Sequence, residues 1–164
     1  MADTVSYDYS QGDSATVSGA MGRPITRLTR VMSVPAILAA GGASLTSTTL
    51  ITANESITAF TLPVGFLVQG VVVYVETAGT GTIDVGVPAD ETAFLAASSL
   101  ATANTWDYSN TESYSQAASS GWLITSTASD ADNVIVQFNS NETVAKFVIS
   151  VWGIDFSDMT AMAD

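Results

Sequence analysis

The side chains here that could do chemistry are 16 carboxylates, four cations and a small set of aromatic rings, because histidine and cysteine are both absent. Their absence removes Ser-His and Cys-His nucleophile pairs, thiolate metal sites, disulfides and the usual proton shuttle near neutral pH. Carboxylate catalysis is what remains, and a glycosidase needs two carboxyl groups facing each other across a cleft. Asp84, Asp90 and Glu91 are the candidates, but they fall beside a turn and an expected helix start, where capping accounts for them. Asp130-Ala131-Asp132-Asn133 places oxygen ligands at alternate positions, as a calcium loop would. It lacks the glycine and distal glutamate of an EF-hand and reads as a solvated turn. Gly79-Thr80-Gly81 lacks the lysine and following helix of a phosphate loop, and its glycines suit a hairpin. Asn54-Glu55-Ser56 and Asn141-Glu142-Thr143 match the glycosylation sequon, which carries weight only beside a secretory signal. The expectation is a chain that is no enzyme and takes no cofactor or metal.

Binding is the better prospect. Arg23, Arg27 and Arg30 are three of the four basic residues, set close together between Pro24 and Pro35 or just before them. Their spacing would share a helix face, but β-branched Thr26, Thr29 and Val31 favour a strand, with Arg23 and Arg27 on one side and Arg30 on the other. Such a strand is either an edge guarded by charge or a positive patch for an acidic partner. Trp106, Tyr108 and Tyr114 lie in the Ser-, Thr-, Asn- and Ala-rich segment 101–120. Rings in so polar a segment can anchor an interface, cap the core or stack on a sugar. Trp122 begins an alternating run and reads as core. Tyr7 and Tyr9 sit in residues 1–24, which lack hydrophobic periodicity and carry Asp3, Asp8 and Asp13. That stretch is expected to be an extended N-terminal arm that docks on something.

Net charge bounds the partners. At −12 the chain would be repelled by DNA and by anionic membranes, since binding there depends on Lys and Arg displacing counterions. No nucleic acid and no membrane are therefore expected as partners. Residues 1–8 show neither the basic nor the apolar region of a signal peptide, and Phe66 to Val75 is too short to span a bilayer. The expectation is a soluble protein.

The elements that position these residues are strands. Leu45–Thr52 and Ser56–Leu62 are β-branched runs, and Phe66–Thr77 is apolar on both faces, as a central strand covered on both sides would be. Thr82–Val87 alternates and is expected to pair with Phe66–Thr77 as a hairpin across Ala78-Gly79-Thr80-Gly81. A short helix over Glu91–Ser98, capped by Asp90, follows. Trp106–Tyr108, Trp122–Thr127, Val134–Phe138 and Lys146–Ile154 complete the set, the last two joined as a hairpin by Asn139-Ser140-Asn141-Glu142. Seven to nine short strands indicate an all-β fold, a β-sandwich or jelly roll with one short helix. The domain reading is an arm over 1–24, a sandwich over 25–155 and a loose C-terminal tail over 156–164.

Leu62-Pro63-Val64-Gly65 leading into the strand Phe66–Ala78, then Gly81–Val87, Asp90–Ala97 and the late Phe147-Val148-Ile149-Ser150-Val151, together resemble tailed-phage head proteins. Over residues 62–155 the pattern is similar to jelly-roll decoration, or cement, proteins of phage capsids. The resemblance implies a virion protein that sits on the outer capsid surface, having passed through the host cytoplasm before assembly. Its implied partners are the major capsid protein and further copies of itself in a homotrimer. It brings no catalytic residues. The interface expected from the residues themselves comprises Tyr7, Tyr9, Arg23, Arg27, Arg30, Trp106, Tyr108 and Tyr114. A carbohydrate-binding β-sandwich of a phage tail or fibre is the alternative.

Overall fold

The computed structural model describes residues 25–41, 45–109, 122–125 and 133–156. These residues form an all-β sandwich of two antiparallel sheets with one short helix among the described residues. The strands are β1 (Ile25–Ser33), β2 (Ser56–Phe60), β3 (Phe66–Thr77), β4 (Thr82–Val87), β5 (Asp90–Ser99), β6 (Thr105–Tyr108), β7 (Trp122–Leu123), β8 (Val134–Phe138) and β9 (Lys146–Asp155). The first sheet runs β1-β9-β3-β6, with β7 also on β3, and the second runs β2-β8-β4-β5.

The inner faces are built by alternation. Phe66, Val68, Val71, Val73 and Val75 of β3 meet Val85 and Val87 of β4 and Val134, Val136 and Phe138 of β8 in one buried core. The step from Val68 to Val71 follows a register shift against β9 between Val68 and Gly70, which turns Gly70, Val72 and Tyr74 to the outside. Ring pairs join the layers: Phe138 and Phe147 lie 6.2 Å apart, and Phe94 meets Trp122 edge-on at 6.0 Å. Burying each such ring contributes roughly 1.5–3 kcal/mol.

Both hairpins expected from the sequence are corrected. β3 and β4 belong to different sheets, as do β8 and β9, so segments 78–81 and 139–145 are connectors that cross the sandwich. The turn chemistry is real, with Gly81 at φ 82°, but the flanking strands are long and apolar enough to find partners elsewhere. The consecutive hairpin that does form joins β4 to β5, with Val87 opposite Asp90. There the sequence suggests a helix over Glu91–Ser98, and this too is overturned. Ala93, Phe94 and Leu95 are buried against the core as strand, and pairing along β4 overrides the local acidic helix signal. Asp90 Oδ1 still caps, accepting from the N–H and hydroxyl of Thr92.

The helix lies instead at Val34–Ala40, with Pro35 in its first turn and Gly41 left-handed at its end. Leu45–Thr52, expected as a strand, contributes one bridge between Ile51 and Glu142. Its threonines serve a loop gathered around Glu55, whose carboxylate accepts from the N–H groups of Thr46 and Thr52. Trp122–Thr127 shortens to the two residues of β7, with 126–127 outside the described residues. Covering on both faces of β3 is also corrected: its inner face is buried, while Tyr74 on the outer face is exposed. Phe156, the first residue of the expected tail, donates its N–H to Gly65 O, and 157–164 lie outside the described residues.

Candidate functional site: an aromatic sheet face

Three rows of residues cross the outer face of the first sheet. Arg27 of β1 stands opposite Trp152 of β9, which stands opposite Gly70 of β3. Next come Thr29, Ser150, Val72 and Tyr108, then Val31, Val148, Tyr74 and Trp106. Alternation along each strand puts these side chains on the same side, one pleat apart. The result is an open depression of about 490 Å³ lined by Arg27, Val72, Trp106, Tyr108 and Trp152.

Each part of the face has a local cause. A Cβ on Gly70 would occupy the space of the Trp152 indole, so glycine there lets the ring lie across the neighbouring strand. Trp106 and Tyr108, two residues apart on β6, stack with ring centres 5.3 Å apart and planes 25° from parallel. Trp106 is 66% exposed and Tyr108 51% exposed, an unusual state for large rings already ordered against each other. Tyr74 donates its hydroxyl to Asn104 Oδ1, which orients that ring beside Trp106. At the opposite rim Arg27 donates from NH2 to Ser150 Oγ, while Thr29 and Ser150 share a hydrogen bond of 2.8 Å. Arg27 makes no ion pair among the described residues. The arrangement can stack on flat groups and attract one negative charge.

The expected interface residues therefore divide. Arg27, Trp106 and Tyr108 come together on this face, although they come from opposite edges of the sheet. Arg30 points the other way, and its NH1 donates to the carbonyls of Thr58 and Ala59, where a register shift in β2 leaves Ala59 out of the ladder. It links the two edge strands β1 and β2. Tyr7, Tyr9, Arg23 and Tyr114 lie outside the described residues, as do 130–132 of the calcium-like loop. Gly70, Tyr74 and Trp152 were missed. Trp152 had a signal, since it falls two positions after Ser150 on the polar phase of β9. Trp122 is half-buried against the core.

Carboxylates are used structurally. Asp84 is buried and accepts from the N–H of Ala97, a residue at φ 54°. Glu142 is 1% exposed and lies where the two connectors cross. Its Oε1 accepts from the N–H groups of Thr143, Val144 and Ala145, and its Oε2 from Thr80 N–H. Burial alone would raise this carboxyl, but the four N–H donors outweigh it and hold the pKa below the usual carboxylate value. Glu55 shows the same balance: desolvation raises it, and the Thr46 hydroxyl with the Thr46 and Thr52 N–H groups brings it below normal.

The fold is an all-β sandwich of two antiparallel sheets, one of which carries exposed rings on its outer face. A chain of the cyanophage Pam1 capsid asymmetric unit has the same fold, with a TM-score of 0.53 and 18% identity over 94% of this chain and 99% of that one. A chain of the capsid of Ralstonia phage GP4 aligns less closely, with a TM-score of 0.49 and 15% identity over 80% of this chain and 83% of that one. No protein-family model matches the sequence, and no curated protein matches it.

Proposed function

We propose that this chain is a structural protein of a phage virion, a decoration or cement protein that binds the outside of the capsid shell and stabilises it. The observation that carries the reading is the likeness to a chain of a phage capsid asymmetric unit that spans nearly the whole of both chains, so the matched chain is of similar length. The winding supports the jelly-roll part: β1 to β2, β2 to β3 and β3 to β4 each change sheet, in the order β1-β9-β3-β6 against β2-β8-β4-β5. The partners are the major capsid protein and other copies of this chain, as a trimer. Contacts to capsid or sister subunits come from the arm with Tyr7, Tyr9 and Arg23, from Arg27, Trp106 and Tyr108, and from Tyr114. Arg30 contributes by fixing β1. The test is to add the purified full chain to undecorated shells of its own phage. Saturable binding and a higher shell disruption temperature are expected, and shells that neither bind it nor gain stability would overturn the reading.

A second reading, a carbohydrate-binding module of a tail or fibre, is favoured by one observation, the exposed Trp106–Tyr108 stack over an open depression. Glycan-array binding abolished by Trp106→Ala would establish it, and a blank array would remove it.

A further inference from the structure

We infer that the aromatic face is the receptor for the N-terminal arm, residues 1–24, of a neighbouring copy of this chain. The inference rests on the cement reading in taking the copies to assemble side by side, and it names the occupant of the face.

Charge is the first argument. In a chain of net charge −12, Arg27 places an exposed cation, with no ion pair among the described residues, at the rim of the face. Its complement is acidic, and residues 1–22 hold Asp3, Asp8 and Asp13 with no Lys or Arg. Stacking is the second. Trp106 and Tyr108 present flat rings to solvent, and the arm carries Tyr7 and Tyr9 directly beside Asp8. An aromatic pair needs only centroids about 4.5–7 Å apart to add roughly 0.5–1.5 kcal/mol beyond area. Length is the third. Twenty-four residues reach about 80 Å when extended, several times the length of a strand.

Entry geometry favours a neighbour over the chain's own face. The arm joins the sheet at Ile25, two residues from Arg27. Proline fixes its own φ and biases the preceding residue toward extended backbone, so Arg23-Pro24 favours a chain that continues the direction of β1 toward a neighbour.

The chain has no cysteine, so introduced thiols report one contact at a time. Val72→Cys places a thiol in the floor of the depression, and Ser10→Cys places one beside Tyr9 in the arm. The two full-length variants, one carrying a mass tag, are mixed under conditions that allow assembly and then oxidised. A tagged–untagged disulfide at least tenfold above that given by Ser10→Cys with Thr143→Cys, an exposed position in a connector, is expected. Adding Arg27→Glu to the Val72→Cys chain should lower the yield at least fivefold, with far-UV circular dichroism unchanged.

Yield no higher than the control, or unchanged by Arg27→Glu, overturns the inference. A chain bearing both thiols that closes only on itself also overturns it. So does tryptophan fluorescence that responds to a soluble glycan in the native chain but not in Trp106→Ala, since a saccharide then occupies the face. Chains that decorate shells without this cross-link sink only the arm inference. Chains that cross-link but leave shells unbound sink only the cement reading.

Discussion

The connector end around Glu142 and the outer face around Trp106 spend polar and apolar groups in opposite ways. At the connector end a charged carboxylate is buried and every donor near it is used: Thr80, Thr143, Val144 and Ala145 give N–H groups to Glu142, and the Thr80 hydroxyl donates to Asn141 O. The Glu142 backbone is paired as well, with Ile51. On the outer face the Trp106 and Tyr108 rings lie in solvent, and among the described residues Arg27 donates to a hydroxyl, not a carboxylate. An unsatisfied buried group would cost the fold at the first site, so that end is complete within one chain. Exposed rings cost the fold little and leave binding energy for a partner. The difference separates a region that is satisfied within one chain from a face that, on the proposed reading, meets a partner.

That contrast can be broken by mutation, and unfolding in urea is the first measurement. Phe147→Ala, which removes a fully buried ring contacting Phe138 between the sheets, should cost about 4 kcal/mol. Glu142→Gln keeps the shape but turns an amide toward N–H donors and should cost roughly 2–3 kcal/mol. An unchanged midpoint in that variant would mean that the connectors are held by the Ile51 bridge and their other hydrogen bonds, such as Thr80 hydroxyl to Asn141 O and Ser140 hydroxyl to Thr80 O, without help from the carboxylate charge.

Acid sharpens the same side of the comparison. Because the folded chain holds Glu142 and Glu55 below their ordinary pKa, their contributions are complete above about pH 4.3, the unfolded value, and are lost as pH falls through the lower folded values. The native chain should therefore keep a level melting temperature from neutrality to about pH 5 and lose it steeply below pH 4, as carboxylates that take up a proton less readily when folded than when unfolded require. Glu142→Gln should flatten part of that fall.

The smallest effect on stability belongs to the face. Trp106→Ala should move the urea midpoint by less than about 0.5 kcal/mol, as surface substitutions do. It should nevertheless weaken shell attachment severalfold, measured by co-sedimentation with undecorated shells. A large loss of stability with attachment unchanged would reverse the roles assigned to the two regions.

Much of this organisation was legible in the residues. The apolar run of β3 and the alternation of β4 and β8 placed those strands where they lie, and the charge and missing histidine directed attention to binding. The site was half legible: Trp106, Tyr108 and Arg27 stood out as rings or charge in the wrong company. Trp152 carried only its place on the phase of Ser150 as a signal, because where its indole lies depends on Gly70, a residue 82 positions earlier that makes room for it. The Glu91–Ser98 helix was misread because capping and acidic residues are local signals, while burial of Phe94 against the other sheet is not.

By itself the sequence determined, for stretches such as 66–77, 82–87 and 134–138, that they extend and which of their residues are apolar, because side-chain alternation is a property of each strand alone. Tertiary structure decided which strand pairs with which. A turn such as 78–81 permits its flanks to pair but does not oblige them to, and crossing to the opposite sheet sets the apolar face of β3 against that of β4 in one core. The same crossing brings Thr80 to Glu142, and it carries β1 and β6 to opposite rims of one sheet, so that Arg27 and Trp106 look out over the same face.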